Sequence, residues 1–388
     1  MKRKWMAVLI ALNMVAGVWA QTASGLLSRA RKTNNPTVRV ELLTKAIAKD
    51  PTLVDAYHYR ADAYLQLGKE VAALKDYDRT VALRPKDPFR YYARGLAYLK
   101  YHKYSLAQSD FSKAISLKPG YSDFYLARAR AYSGMEKYER ALNDYRTYQK
   151  KASSSDDIVR EMIPVYLGAY RYDMAQQWVE HLQSKGDDSA EVHYWYGRIL
   201  AGKNQPDEAI SHYSKAIHRN PSYIQAYRHR GDLFKEMKEY DAAVEDYSQL
   251  IALQPEALFY NKRGLTYEAM KEFAQAEKDY TRAIDLSPHW AVPYNNRGFA
   301  KMNLKDWRGA KADLEKAISL DASAPTPYVN LAGVYWTWKK DSRNMYNQLD
   351  KAIKRNFKNF DSLYDNEQKG WLFKDINKTS QFRSLTQP

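Results

Sequence analysis

The stretch YYARGLAYLKYHKYSLAQSDFSKAISLKP, from Tyr91 to Pro119, decides the fold. Its second part, from Ala107, ends at a proline, where a helix must stop. The opening motif is found 34 residues earlier as YHYRADAY at Tyr57 and 34 residues later as YLARARAY at Tyr125. Because a pattern that returns at a fixed period of this length is typical of stacked helical hairpins, the sequence predicts a helical repeat array.

Three further copies of the motif occur, YRHRGDLF at Tyr227, YNKRGLTY at Tyr260 and YNNRGFAK at Tyr294. The second helical stretch of five repeats ends in a proline: Pro85, Pro119, Pro221, Pro255 and Pro288. This pattern resembles the tetratricopeptide repeat family from about residue 21 to residue 355. The resemblance implies an all-α fold, a right-handed α-solenoid of antiparallel helical hairpins.

The spacing divides the chain into a degenerate leading hairpin (21–53), a solenoid of about nine repeats (54–355) and C-terminal capping helices (356–388). Two of the repeats, 156–189 and 325–355, depart from the pattern. The first of these has Pro164 in its first helix and follows the run Ser153-Ser154-Ser155. Because a poor repeat weakens a solenoid locally, the sequence predicts a weak point between about residues 150 and 190.

Residues 1–20 have the features of a cleavable export signal. Lys2, Arg3 and Lys4 precede the mostly apolar run Trp5–Val18, and the small residue Ala20 follows it. An uncleaved anchor is the alternative. No second hydrophobic stretch exists, so we expect no transmembrane segment after cleavage. The expected location is the periplasm or the extracellular space, with attachment to the cell-envelope surface a further option.

The composition narrows the classes of function. The chain has no Cys, which excludes disulfides and thiol chemistry, and its formal net charge is +16. Basic proteins often bind nucleic acid, but an exported one is expected to meet anionic lipid headgroups, polysaccharide or acidic protein surfaces instead. The eight His are scattered, and neither a metalloprotease motif nor a nucleophile elbow occurs. We therefore expect no enzyme activity, no cofactor and no metal site.

Two positions of the repeat change together. Six repeats carry Arg at the seventh position and Asp at the twenty-third: Arg60 with Asp76, Arg94 with Asp110, Arg128 with Asp144, Arg230 with Asp246, Arg263 with Asp279, and Arg297 with Asp313. The other repeats lose both residues. This joint loss predicts structural ion pairs, either within a hairpin or across a repeat boundary, because a guanidinium matches a carboxylate geometrically. A ligand site would not return six times at a fixed period.

The family resemblance implies that the first helix of each hairpin lines an inner groove. Carrying its positions over gives candidate partner-binding residues: Arg130, Arg160, Arg198, Arg228, Lys235, Asn261, Asn295, Phe299 and Trp336. An ordinary solvated helix face is the alternative interpretation. The expected function is an exported scaffold that binds protein or peptide partners, acidic ones in particular. A protein that binds envelope polyanions through its basic charge is the second candidate. The oligomeric state is left open.

Overall fold

The computed structural model describes residues 22–152, 155–364 and 370–386. Within these ranges the chain forms helices and no strand, so the protein is an all-α helical repeat solenoid. The fold divides after Lys185 into unit 1, Met1–Lys185, and unit 2, Gly186–Pro388. The expected export signal, residues 1–20, lies outside the described residues.

Unit 1 contains five helical hairpins, each made of a first and a second helix, in its described part. Their helices are α1 (Ala23–Lys32) and α2 (Pro36–Lys49), α3 (Val54–Gln66) and α4 (Glu70–Leu83), α5 (Pro88–Lys100) and α6 (Tyr104–Leu117), α7 (Ser122–Gly134) and α8 (Tyr138–Lys151), and α9 (Asp156–Gly168) and α10 (Tyr172–Ser184). Pro164 lies inside α9, which continues past it to Gly168. These helices have 10 to 14 residues.

Unit 2 contains five more hairpins and a C-terminal segment in its described part. Their helices are α11 (Ala190–Gly202) and α12 (Pro206–Arg219), α13 (Ile224–Glu236) and α14 (Tyr240–Leu253), α15 (Ala257–Ala269) and α16 (Phe273–Leu286), α17 (Ala291–Asn303) and α18 (Trp307–Leu320), and α19 (Thr326–Lys339) and α20 (Ser342–Ile353). Nowhere in the described ranges is a helix both long enough and apolar enough to span a membrane.

The turn inside each regular hairpin uses a left-handed residue, and the two helices then pack closely. Gly68 has φ 69° in the turn after α3, and Lys238 has φ 64° in the turn after α13. A Cβ added at Gly95 would lie 2.6 Å from the Phe111 ring, too close for any real contact. The small residue at this position is therefore required by the aromatic ring of the second helix.

The C-terminal segment packs on the last hairpin. It forms 3-10 helices at Asp361–Leu363, Gly370–Phe373 and Ile376–Lys378, followed by α21 (Ser380–Thr386). Leu363, Leu372, Phe373 and Phe382 are buried in one apolar cluster with residues of α19 and α20. These side chains cover hydrophobic surface that a further hairpin would cover in a longer array.

We expect limited proteolysis to cut first near the division between the units. Lys185 is exposed at the end of α10, and Gly186 has φ 88° with open space around it. Trypsin should cleave after Lys185 before it cleaves after Lys238 or Lys271, which lie in the tight turns of regular hairpins. Mass spectrometry of the earliest fragments measures this order. A first cut in one of those turns would contradict the expectation.

Candidate functional site

Each of the six Arg–Asp pairs is a two-pronged ion pair within one hairpin. The Arg Nε and Nη2 atoms donate to the two carboxylate oxygens, and the shortest nitrogen–oxygen distance in each pair is 2.6 to 2.7 Å. The Asp residues are buried. Aromatic rings flank the guanidinium: the Arg94 carbon Cζ lies 5.9 Å from the centroid of Tyr91 and 5.8 Å from that of Tyr98. These residues are therefore part of the structural frame.

The same arginines also bind the preceding hairpin. The Nη1 atom of Arg128 donates to the Ser112 hydroxyl at 3.1 Å, and that of Arg94 to the Asp78 carboxylate at 2.8 Å. The corresponding partners in the other repeats are Thr44, Ser214, Ser248 and Thr281. One guanidinium thus joins two helices of its own hairpin and links them to the hairpin before it.

The repeats without the pair fill its place differently. In the repeat that starts at Ala190, Tyr196 stacks on His212 with ring centroids 4.4 Å apart. The His193 and His212 rings face each other with Nδ1 atoms 3.3 Å apart, and His193 also contacts Asp188 at 2.6 Å. In the repeat before it, the indole nitrogen of Trp178 is buried without a partner. Neither arrangement links successive hairpins through a guanidinium.

Arg130 and Arg160, the candidate basic residues of unit 1, both interact with other residues of the chain. Arg130 donates two hydrogen bonds of 2.8 Å to the carboxylate of Glu161 on α9. The Tyr145 hydroxyl contacts the same carboxylate at 3.4 Å. Arg160, next to Glu161, is half-buried and also has interaction partners. Because Glu161 neutralises Arg130, this part of the first-helix surface offers little charge to a partner.

Unit 2 brings three of the predicted residues into one cation cluster. We define this cluster as Arg198, Arg228 and Lys235, with Lys262 and His229 beside them. Arg198 Nη1 donates to the Tyr194 hydroxyl at 3.3 Å, and Arg228 Nη2 lies 3.3 Å from His229 Nε2.

The cluster carries more positive than negative charge. Lys262 pairs with Asp232 at 2.7 Å, and Asp232 also accepts a hydrogen bond from Tyr247. Arg198 and Arg228 form no ion pair with a carboxylate of the described residues, whereas Lys235 lies within electrostatic range of Asp232, Glu268 and Glu236.

Burial and the repulsion between the positive charges of the cluster shift the pKa values of two of its side chains. Burial, together with the charges of Arg198 and Arg228, lowers the pKa of His229 to about 4. Burial and the neighbouring charge of Lys262 lower the pKa of Lys235. His229 is therefore neutral at pH 7, and each further positive charge in the cluster is unfavourable. A negatively charged group placed here would relieve that repulsion.

The other candidate residues of unit 2 are engaged within the chain. Asn261 is buried and accepts a hydrogen bond from Asn296 at 3.1 Å. Asn295 donates to Asn296 at 3.2 Å and accepts from Asn330 at 3.0 Å.

Phe299 and Trp336 pack against the apolar cluster of the last hairpin. The Trp336 indole donates to the Lys374 carbonyl at 2.9 Å, so the C-terminal segment takes this position.

Comparison with known proteins identifies the repeats. Family models described as tetratricopeptide repeat match residues 42–75, 190–223, 224–256, 257–289 and 291–323. The chain is a tetratricopeptide repeat protein. Its repeats are those of a protein-interaction scaffold.

Solved structures share this tetratricopeptide repeat fold. A tetratricopeptide repeat protein from Parabacteroides merdae ATCC 43184 is 19% identical with a TM-score of 0.54, over 64% of this chain and 98% of that one. YrrB, described as having an unusual peptide-binding site, is 18% identical with a TM-score of 0.39, over 45% of this chain and 90% of its own. At these identities the likeness shows the fold alone.

One curated relative is an enzyme. A UDP-N-acetylglucosamine–peptide N-acetylglucosaminyltransferase from Giardia intestinalis is 35% identical over 66 residues. The match spans 17% of this tetratricopeptide repeat protein and 4% of the transferase. The likeness is therefore confined to a short stretch of both chains.

The tetratricopeptide pattern did not point to three residues that decide the charge of the first-helix surface. Glu161, Lys262 and His229 occupy the sixth position of their repeats and reach back toward the ninth position of the repeat before. Glu161 and Lys262 carry charges opposite to those of Arg130 and Asp232, whereas the neutral His229 lies beside Arg198. The spacing of about 31 residues between such partners is the signal that could have identified them.

Proposed function

We propose that this tetratricopeptide repeat protein is an exported scaffold without catalytic activity, which binds an acidic segment of a protein or peptide partner at the cation cluster of unit 2. One observation carries the proposal: Arg198 and Arg228 both lie beside His229, and neither forms an ion pair with a carboxylate of the described residues. The proposal of export is supported by the sequence of residues 1–20, which has the features of an export signal.

The arrangement suits carboxylates. A guanidinium can donate two parallel hydrogen bonds to one carboxylate, and Arg198 and Arg228 lie on neighbouring first helices, α11 and α13. Lys235 adds a compact charge on the same helix as Arg228. The half-buried Tyr223 ring, whose centroid is 5.3 Å from that of the buried Tyr194, borders the cluster and offers apolar contact to the rest of a peptide.

Binding of envelope polyanions is the second candidate function. It is favoured by the net charge of +16, which includes exposed cations on second helices, such as Arg282 and Lys316. Polyanion binding would use the total charge and would collapse with added salt. Binding of a partner at the cation cluster would depend on particular residues and would weaken less when salt is added.

We expect the double variant Arg198→Glu and Arg228→Glu to lose most of its partner binding without unfolding. Both residues are half-buried and carry no structural ion pair, so the fold should tolerate the change. The measurement is a pull-down from envelope extract with wild type and variant side by side, followed by quantification of the captured chains. Circular dichroism verifies the fold.

The matched control is the double variant Arg282→Glu and Lys316→Glu, which changes the net charge by the same amount. If the cluster is the site, the control captures the partner as wild type does. Equal loss in both variants would favour the polyanion function. Normal capture by the cluster variant would overturn the assignment of the site.

A further inference from the structure

One type of three-residue contact occurs at several boundaries between successive hairpins, and the charges of its residues differ from boundary to boundary. It combines a residue of one first helix, an aromatic residue of the second helix and a residue of the next first helix. In unit 2 it consists of Asp232, Tyr247 and Lys262: Tyr247 donates to Asp232 at 2.6 Å and Lys262 Nζ lies 2.7 Å from the same carboxylate oxygen. A phenol and an ammonium thus satisfy one half-buried carboxylate.

Unit 1 repeats this arrangement at Asp62 without the ammonium. The Tyr77 hydroxyl donates to Asp62, as Tyr247 does to Asp232. The position that corresponds to Lys262 is Ala93, which has no charge to offer. The Asp62 side chain is 38% exposed, compared with 33% for Asp232, so both carboxylates are open to a similar degree.

The surroundings of Asp62 hold further polar atoms without partners. His58 Nε2 lies 3.7 Å from the Asp62 carboxylate, beyond hydrogen-bond distance, and its Nδ1 atom is buried and unpartnered. The Tyr101 hydroxyl is also buried and unpartnered, and Tyr101 is close enough to contribute, after burial and Asp62, to raising the pKa of Tyr77. Because buried polar atoms without partners are uncommon in folded proteins, the polar groups around Asp62 are less completely satisfied than those of the Asp232 junction.

The nearby cations of the chain are engaged elsewhere. Arg90 binds Asp55 at 3.0 Å and Asp87 at 3.1 Å. Lys100 Nζ donates to the Leu65 carbonyl at 3.2 Å. A metal ion is disfavoured as the ligand, since the described residues contain no group of three metal-binding side chains.

We propose that the junction of Asp62, Tyr77 and Ala93 binds the ammonium group of a lysine side chain supplied by a partner protein. The partner's lysine takes the place that Lys262 occupies in the equivalent junction of unit 2. The carboxylate provides the charge, and the partly exposed His58 ring, whose centroid is 5.9 Å from that of the buried Tyr77, lies beside it. This site lies in unit 1 and is opposite in charge to the cation cluster, so it does not rest on the function proposed above.

The test uses the full chain and the blocked tripeptide leucine-lysine-leucine, with norleucine in place of lysine as the matched probe. Binding is followed through isotope-labelled tyrosine amide resonances. The lysine peptide should shift the Tyr77 resonance saturably and the norleucine peptide should not. Asp62→Asn should weaken binding about tenfold. Asp232→Asn, in the junction already filled by Lys262, should leave the titration unchanged.

The variant Ala93→Lys provides an independent measurement. Its lysine should fill the junction and so abolish peptide binding. Introduced into the wild-type chain, Ala93→Lys should raise the melting temperature; introduced together with Asp62→Asn, it should not. The proposal is overturned if the norleucine peptide binds as well as the lysine peptide, or if Asp62→Asn binds normally. It is also overturned if Ala93→Lys stabilises both chains equally, because its ammonium then does not reach Asp62.

Discussion

We expect the variant Phe373→Ala to lower the free energy of unfolding of unit 2 by about 4 kcal/mol. Phe373 is fully buried, and its ring centroid lies 5.4 Å from that of Phe382. Removing a buried aromatic ring loses its transfer free energy and leaves a cavity that the surroundings fill only in part. Chemical denaturation followed by tryptophan fluorescence measures the change.

The control for this variant is Leu286→Ala on α16. Leu286 is 50% exposed, so its truncation should cost less than about 1 kcal/mol. The difference between the two variants isolates the contribution of the C-terminal segment as a cap. Equal and small effects would mean that the segment does not stabilise the last hairpin.

The second large effect is expected at the Arg–Asp pairs. Asp144→Ala should destabilise unit 1 by about 3 kcal/mol, because it leaves Arg128 without its buried carboxylate and only the Ser112 hydroxyl remains. Asp110→Ala should cost less, since Arg94 keeps the carboxylate of Asp78 at 2.8 Å. Thermal unfolding of the two variants measures the order.

Double variants distinguish the interaction energy of the ion pair from the energy of the packing around it. Arg128→Leu combined with Asp144→Ala should recover part of the loss, because no charge is then left without a partner. Arg94→Leu with Asp110→Ala should do the same on a smaller scale. Strictly additive effects in both cycles would show that the paired residues do not interact.

Much of the fold could be predicted from the sequence because the repeats act as internal comparisons. The period located the hairpins. The Arg and Asp are lost together in the same repeats, which indicated that the two side chains are in contact. Of the two alternatives for that contact, the one within a hairpin is correct, as Arg128 with Asp144 shows; across the boundary the same guanidinium binds Ser112. Position within the period therefore determines backbone packing and the contacts that every repeat shares.

The charge of the first-helix surface could not be predicted in the same way. Arg130 has a position suited to a groove, but Glu161 on the next hairpin neutralises it. Trp336 is also at a groove position, and the carbonyl of Lys374 binds it. Such contacts depend on which side chains meet between particular hairpins and in the tail. A period shared by all repeats cannot specify them.

The guanidinium that joins two hairpins also determines how unfolding spreads. Where Arg128 contacts Asp144 and Ser112, the opening of one hairpin removes a hydrogen bond from the next, so neighbours favour the same state. Met162 and Tyr196 occupy the arginine position in the two repeats on either side of Lys185 and cannot make this link. If the array is treated as a one-dimensional chain of two-state units, the coupling free energy between neighbouring hairpins is smaller at these two repeats. Leu331 holds the arginine position of the last hairpin and lacks the link as well. We therefore expect unfolding to spread least readily across the boundaries before α9, before α11 and before α19.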